Sequence, residues 1–591
     1  MRQRTQVTLL RLWANFIPKA KRSFAPYYAL LILFYLPVVV IIAKAFLRGG
    51  ALAEFLLFVK SPVFLNTLVF SCQEAFFSSV CSLLVALPGA YFFGKYDFPG
   101  KKYLRSFLIL PFMLPGILVV LSMVVFYGQN GAFNRMLALL FPGSGVRFTG
   151  LYGFWGIILA HVFYNFSFCL RLLGESWERI DPRLQEASAT LGAGSVETFF
   201  RVTLPLLTPT ISYLLILIFL YSFLSFTVVL VLGGFLYKTL EVLIYIEYNN
   251  RLNFDRAALI AGWQMLLLGG FLYMQLFFGR KMQKQAVFCR TLPRLAWKKN
   301  PLAVALAFSY SFFMILFFTA PLLSVLVRSF RERGLPEGGF TLRNYQQLFS
   351  DGFRFAVGER FSVVLVSSLA LSGVVATLAV GSGYYLARLG RDRAWGKKDL
   401  WLQLPLGVSF LTFAFGLFLL AGRKAPSWLL LVWAQFFLAF PLVYSILRTA
   451  RRELGEELLE AAAALGASPH QAVWTIELPM MRRPLQTAFA YAMASSMGDL
   501  SAVLVLGQGE IITLPVAIYR LIGHYHFAQA TALGTIFLLL SFLVFLLIEG
   551  YSQRTSRWRM GHLGEQMLPE TDGGEDFESV CAGKGYDQDR M

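Results

Sequence analysis

Two acidic residues of this 591-residue chain, Glu74 and Asp499, stand inside long apolar runs. An Asp at the centre of a membrane helix costs about 2.5–3.5 kcal/mol on insertion scales, so such a group needs a partner or a cargo, and by default it marks a pathway. His161 and Asn165 stand one helical turn apart in another apolar run, and Gln264 and Gln403 add further polar positions. With 16% Phe, Trp and Tyr in the chain, carboxylates among aromatic rings suit an organic cation through charge and cation–π contact. They suit a metal cation as well. A purely structural use is also open: Glu74 and His161 can satisfy each other, and Asp499 beside Gly498 can serve a gate or a helix junction. Catalytic patterns are missing. No Gly-x-x-x-x-Gly-Lys-Ser/Thr occurs, and the nearest strings, Gly100-Lys101-Lys102 and Gly396-Lys397-Lys398, are basic turns without its first Gly or its hydroxyl. There is no His-Glu-x-x-His, and Cys72, Cys81, Cys169, Cys289 and Cys581 show no Cys-x-x-Cys spacing, so no zinc or disulfide framework follows.

The elements that must position these groups follow from composition. The chain is 57% hydrophobic and 15% charged, well below the roughly 25% charged of a soluble domain. Apolar stretches near the roughly 20 residues that cross a bilayer recur at about 25–46, 66–93, 104–127, 150–172, 209–232, 257–278, 302–327, 362–387, 400–421, 427–447, 485–506 and 530–549. The first is too long for a signal-peptide core and lacks a small-x-small cleavage site, so it is expected to stay as a span. The fold class is an all-α membrane protein of about twelve transmembrane helices. The net charge of +20 is a topology signal rather than a nucleic-acid footprint. About 36 of the 53 Lys and Arg fall on one side, at Arg2 to Arg22, Lys95 to Arg105, Arg280 to Lys299, Arg388 to Lys398, Arg448 to Arg452 and Arg554 to Arg559. By the positive-inside rule both termini are cytoplasmic. The last thirty or so residues, rich in Gly, Asp and Glu, read as a disordered tail.

A twenty-residue segment occurs twice. Glu186 to Pro205 reads EASATLGAGSVETFFRVTLP, and Glu460 to Pro479, 274 positions later, reads EAAAALGASPHQAVWTIELP. The register extends outward: Ala160, Phe163 and Phe166 match Ala434, Phe437 and Phe440, and Val229 to Gly233 matches Val503 to Gly507. Thr239, Leu240, Ile244 and Tyr245 likewise match Thr513, Leu514, Ile518 and Tyr519. A fixed long period signals a duplicated unit, with expected boundaries 1–24 for a cytoplasmic segment, 25–300 and 301–555 for two six-helix repeats, and 556–591 for the tail. Both islands fall on the cytoplasmic side. Asp181-Pro182 starts a helix there, Gly192 or Gly194 ends it, and Ser195 caps a second short helix that is expected to break at Pro205. Ser468, Pro469 and Gln471 form a capping box in the second copy.

This pattern resembles the transmembrane permease subunits of binding-protein-dependent ABC importers, whose signature loop reads Glu-Ala-Ala, three variable residues, Gly, and later Leu-Pro. Glu186-Ala187-Ser188 with Gly192 departs from it by one Ser, and Glu460-Ala461-Ala462 with Gly466 matches fully. The resemblance covers about 25–550 and is to the fused type that carries both halves in one chain. It implies coupling helices that seat on a separate ATP-binding subunit, carried by Glu186, Ala187, Leu191, Gly192, Leu204, Pro205, Glu460, Ala461, Leu465, Gly466, Leu478 and Pro479. It further implies an external solute-binding protein, two ATPase copies holding ATP and Mg, no cofactor in this chain, and a bacterial inner-membrane location. Leu114-Pro115 with the run to Tyr127-Gly128, Gly156 to Asn165, and Gly498-Asp499-Leu500 with Thr513-Leu514-Pro515 look more like thiamine permeases than ferric-iron permeases. A duplicated secondary transporter would also place polar groups at the midplane, but would need no such loops. The candidate solute path is Glu74, His161, Asn165, Gln264 and Asp499.

Reporter fusions after residues 100, 290, 395 and 560 are expected to read cytoplasmic, and fusions near 140, 245, 345 and 515 external. A cytoplasmic signal at 345 breaks the two-repeat arrangement.

Overall fold

The computed structural model describes residues 24–46, 51–98, 100–101, 104, 114–234, 236–283, 301–331, 339–389, 396–403, 408–454, 457–544 and 546. Nearly all of the expected amino-terminal segment and the whole of the tail lie outside them. Among the described residues the long elements are all helices. Twelve of these are labelled here: α1 Ala25–Phe46, α2 Pro62–Lys95, α3 Gly116–Tyr127, α4 Phe154–Glu178, α5 Leu204–Phe223 and α6 Phe254–Gln283. The remainder are α7 Pro301–Ser329, α8 Phe361–Leu389, α9 Phe410–Ala421, α10 Ser427–Glu453, α11 Leu478–Met497 and α12 Phe527–Val544. Ten of the described helices are long and apolar enough to cross a membrane. α3 counts among them only together with the helix that follows it, as Gly116–Leu140, while α9 is too short and α11 carries Arg482 and Arg483 in its first two turns.

Two of the expected spans break into a long helix followed by a short one, at matching places in the two repeats. The run 209–232 bends out of α5 at Leu224–Phe226 and resumes as the short helix Thr227–Leu232. The run 485–506 does the same at Gly498–Leu500, before Ser501–Leu506. Backbone outside a helix is tolerated at membrane depth only where it is buried in protein or lines a cavity. Another short helix follows each break, Leu240–Tyr245 and Leu514–Gly523. The orphan N–H at the start of each is met in the same way. Ser71 Oγ on α2 accepts from Leu240 N at 3.1 Å, and Ser368 Oγ on α8 accepts from Leu514 N at 2.8 Å. The duplication thus reaches down to single hydrogen bonds, and it sets the register of α2 on α8.

The two repeats exchange their first helices. Phe34 of α1 packs against Phe436, Phe437 and Phe440 of α10, with ring centroids 6.0, 5.4 and 5.3 Å away. Trp433 Nε1 donates to Leu33 O at 3.1 Å across the same contact. Conversely, Phe318 of α7 packs against Phe163 and Phe166 of α4 at 5.0 and 5.2 Å, and Tyr310 Oη donates to Val85 O of α2 at 2.8 Å. The repeated pairs Phe163/Phe166 and Phe437/Phe440 are therefore the seats of the exchanged helices.

Small residues let such helices approach closely, since lipid gives no hydrophobic drive to pack them. At Gly416 of α9 a Cβ would stand 2.6 Å from Pro37 O of α1, an atom of the backbone. Gly416→Val is expected to lower the stability of the purified protein by about 1–3 kcal/mol, read as a drop in thermal unfolding temperature. Gly381→Ala, which meets nothing within 4 Å, is the control and stays near the parent value.

Candidate functional site

Each repeated loop folds as a pair of short helices joined at a glycine. In the first, Asp181 accepts from Arg183 N at 2.9 Å and caps Pro182–Thr190. Gly192 takes φ +88°, with Gly192 N donating to Ala189 O at 3.0 Å and Ala193 N to Ser188 O at 3.1 Å. In the second, Glu457–Ala464 ends at Gly466 with φ +87°, and Gly466 N and Ala467 N donate to Ala463 O and Ala462 O, each at 3.0 Å. This double-bonded left-handed exit requires glycine because a Cβ is penalised there. Ser468 and Gln471 then cap each other reciprocally, at 2.9 and 3.3 Å. Within the first pair Ser188 Oγ and Thr198 Oγ1 lie 2.9 Å apart, where the second pair sets the buried methyls of Ala462 and Ala472.

The expected break at Pro205 does not occur. Phe199–Thr203 and Val473–Glu477 are π-helical turns that carry each short helix straight into α5 and α11. Proline lacks an N–H, and its ring crowds the carbonyl four residues back. Widening the turn by one residue relieves both problems, and it does so at Pro205 and Pro479 alike, each in the first turn of its span. Leu204 and Leu478 are half-buried at these joints. The loop tips face outward: Leu191 and Leu465 are each 89% exposed. Glu186, Ala187, Glu460 and Ala461 are exposed too, and among the described residues neither glutamate is recorded in an ion pair.

A cavity of about 320 Å³ opens where the break after α11 meets the other repeat. Its lining includes Leu114, Pro115 and Thr227 from one repeat and Phe410, Tyr491 and Asp499 from the other. Asp499 is 6% exposed. Its carboxylate accepts from Ser501 Oγ at 3.0 Å, Ala502 N at 3.2 Å and Gln435 Nε2 at 3.2 Å. Gln435 is itself oriented by Ser496 Oγ, which donates to its Oε1 at 2.5 Å. The carboxylate caps the helix Ser501–Leu506 and belongs to the same cavity wall as Tyr491 and Phe410.

The other four candidate path residues do not line this cavity. Glu74 and His161 meet each other between α2 and α4, with Ser78 Oγ at 3.1 Å from both Glu74 Oε1 and His161 Nδ1. Asn165 turns instead to α5, donating to Ser222 Oγ at 3.4 Å. Gln264 of α6 donates to Glu241 Oε1 at 2.5 Å. All are buried.

Residues 86–280 and 399–557 match the family described as binding-protein-dependent transport system inner membrane component. The chain belongs to that family. Two matched segments in one polypeptide make it a fused permease, whose role is transport. Among curated proteins the permease is similar to the thiamine transport system permease protein ThiP of Haemophilus influenzae, 28% identical over 82% of this chain and 88% of the relative. ThiP of Escherichia coli is 28% identical over 81% and 88%. The probable ABC transporter permease protein y4fN of Sinorhizobium fredii is 25% identical over 77% and 82%.

Several polar residues of the permease escaped notice in the sequence. Gln435 is the positional equivalent of His161, and aligning the repeats would have flagged it as the partner of a nearby acid. Buried Glu241, Glu247 and Glu477 lie at the edges of apolar runs. There a carboxylate reads as a loop residue.

Proposed function

We propose that this permease is the membrane subunit of an ATP-driven importer that carries thiamine from an external binding protein to the cytoplasm. Similarity to thiamine permeases over about four fifths of the chain is the observation that carries the substrate. The cavity supports it. A single carboxylate in a cavity also lined by Tyr491 and Phe410 offers an organic cation both charge neutralisation and a ring face. ATP is hydrolysed by two copies of a separate subunit with its own Mg, and this chain contributes no cofactor. The exposed tips at Leu191 and Leu465, with Glu186 and Glu460 beside them, are the surfaces that seat on the two copies. Both termini and both loops are cytoplasmic.

Uptake of labelled thiamine in cells lacking other thiamine routes is expected to require this chain with its ATPase and binding protein. Asp499→Asn keeps the size of the side chain but removes the charge, and uptake should fall about tenfold or more at matched membrane levels. Intact thiamine uptake in the deletion strain, with ferric iron uptake lost, assigns iron instead.

Gly192→Leu and Gly466→Leu place a side chain at φ near +88°, which costs about 1–2 kcal/mol at each site and bends the loop tip away. The double variant is expected to insert normally yet lose capture of the ATPase in pull-downs, together with transport. Normal capture and transport in that variant would remove the loops from the coupling path.

A further inference from the structure

The joint between the second loop and α11 holds a cluster that the first repeat lacks. Glu477, the last residue of the π-turn, is 1% exposed. Its Oε1 lies 3.1 Å from Arg451 Nε of α10 and 3.3 Å from Arg388 Nε of α8, and it accepts from Tyr384 Oη of α8 at 3.1 Å. One carboxylate oxygen therefore ties the loop to two neighbouring spans. The cluster is not saturated: Glu477 Oε2 and Arg451 Nη2 are buried with no hydrogen-bond partner among the described residues.

At the equivalent joint of the first repeat, 274 positions earlier, Thr203 replaces Glu477 and Trp177 replaces Arg451. In the register set by Ser71 and Ser368, Tyr91 stands where Arg388 stands. Two of the three positions are aromatic: Tyr91 and Trp177 pack edge to face at 5.5 Å, and Trp177 also stacks on Phe199 of the first π-turn at 6.0 Å. Rings can slide across one another at small cost. A buried ion pair cannot, because separating it leaves an uncompensated charge.

We propose that Glu477 is a positioning residue for coupling: it locks the second loop to α8 and α10, so that movement of this loop reaches the spans as a rigid-body motion while the first loop is free to shift. This rests on the reading that the loops seat on the ATPase. Two consequences separate it from a role in stability alone. Removing the charge should spare ATPase docking and basal ATP turnover, and the loss should appear in how far the loaded binding protein stimulates that turnover.

The test uses the full complex of permease, ATPase and binding protein in proteoliposomes, with pull-down of the ATPase, ATP turnover with and without loaded binding protein, and uptake. Glu477→Gln is expected to retain capture while the stimulated-to-basal ratio falls about fivefold or more, and uptake with it. Glu477→Asp should restore part of the ratio, and Thr203→Val should leave it unchanged. An unchanged ratio in Glu477→Gln overturns the proposal. If Glu477→Gln does not reach the membrane, Tyr384→Phe and Arg388→Gln each remove one donor, and an unchanged ratio in both overturns it equally. Loss of capture in Glu477→Gln assigns the residue to docking and overturns it too. Failure of the parent loops to capture the ATPase at all sinks the docking reading first, and this one with it.

Discussion

Backbone that leaves a helix inside lipid has to find its hydrogen bonds within the protein, and most of the internal architecture answers that demand. Two matching breaks follow Phe223 and Met497, and the second is lined by both repeats. Serines on α2 and α8 satisfy the short helices that follow, and Asp499 satisfies the start of Ser501–Leu506. Because the second break is lined by Leu114 and Pro115 of the other repeat, the solvent-sized space it leaves falls on the boundary between the repeats.

The same positions are served by different physics in the two repeats. At the foot of α4, Lys101 pairs with Glu178 at 2.9 Å. At the foot of α10 the signs are inverted, with Asp399 held by Arg452 at 2.9 Å and by Arg448 at 3.5 Å. His161 turns to a carboxylate on α2, whereas Gln435 turns to one in the break after α11. The backbone geometry of the loops is held in common, down to glycine dihedrals within a degree. Local turn chemistry has been kept, and the tertiary partners around it have diverged.

That division explains how much could be read from the residues. The loop helices were legible because caps and a left-handed glycine are encoded within a few residues: Asp181, Gly192, Gly466 and the Ser468–Gln471 box all stand where expected. The helical class followed from hydropathy alone. The break in the fifth span was hidden, since Leu224-Ser225-Phe226 contains neither Pro nor Gly and interrupts no apolar run. Proline misled in the opposite sense at Pro205, where a π-turn absorbs it without ending the helix. The cavity was out of reach because its walls come from five separate stretches of chain. His161 and Asn165 stand one turn apart on α4, yet their partners lie on α2 and α5, which spacing along one helix does not reveal. Glu477 adjoins a recognisable Leu-Pro, yet its meaning depends on two arginines from other helices.

Exchange of α1 and α7 has a consequence for inheritance. In an assembly of two identical chains every residue must serve at two places related by symmetry, so a carboxylate at one wall of a central cavity brings a second carboxylate to the opposite wall. Joining both copies in one polypeptide, each clasping the other's first helix, fixes their pairing and frees each from self-complementarity. Ser225 is the counterpart of Asp499 by position, so of these two sites only one carries a carboxylate. Such a one-sided charge is open to a fused chain and closed to any strictly two-fold symmetric pair.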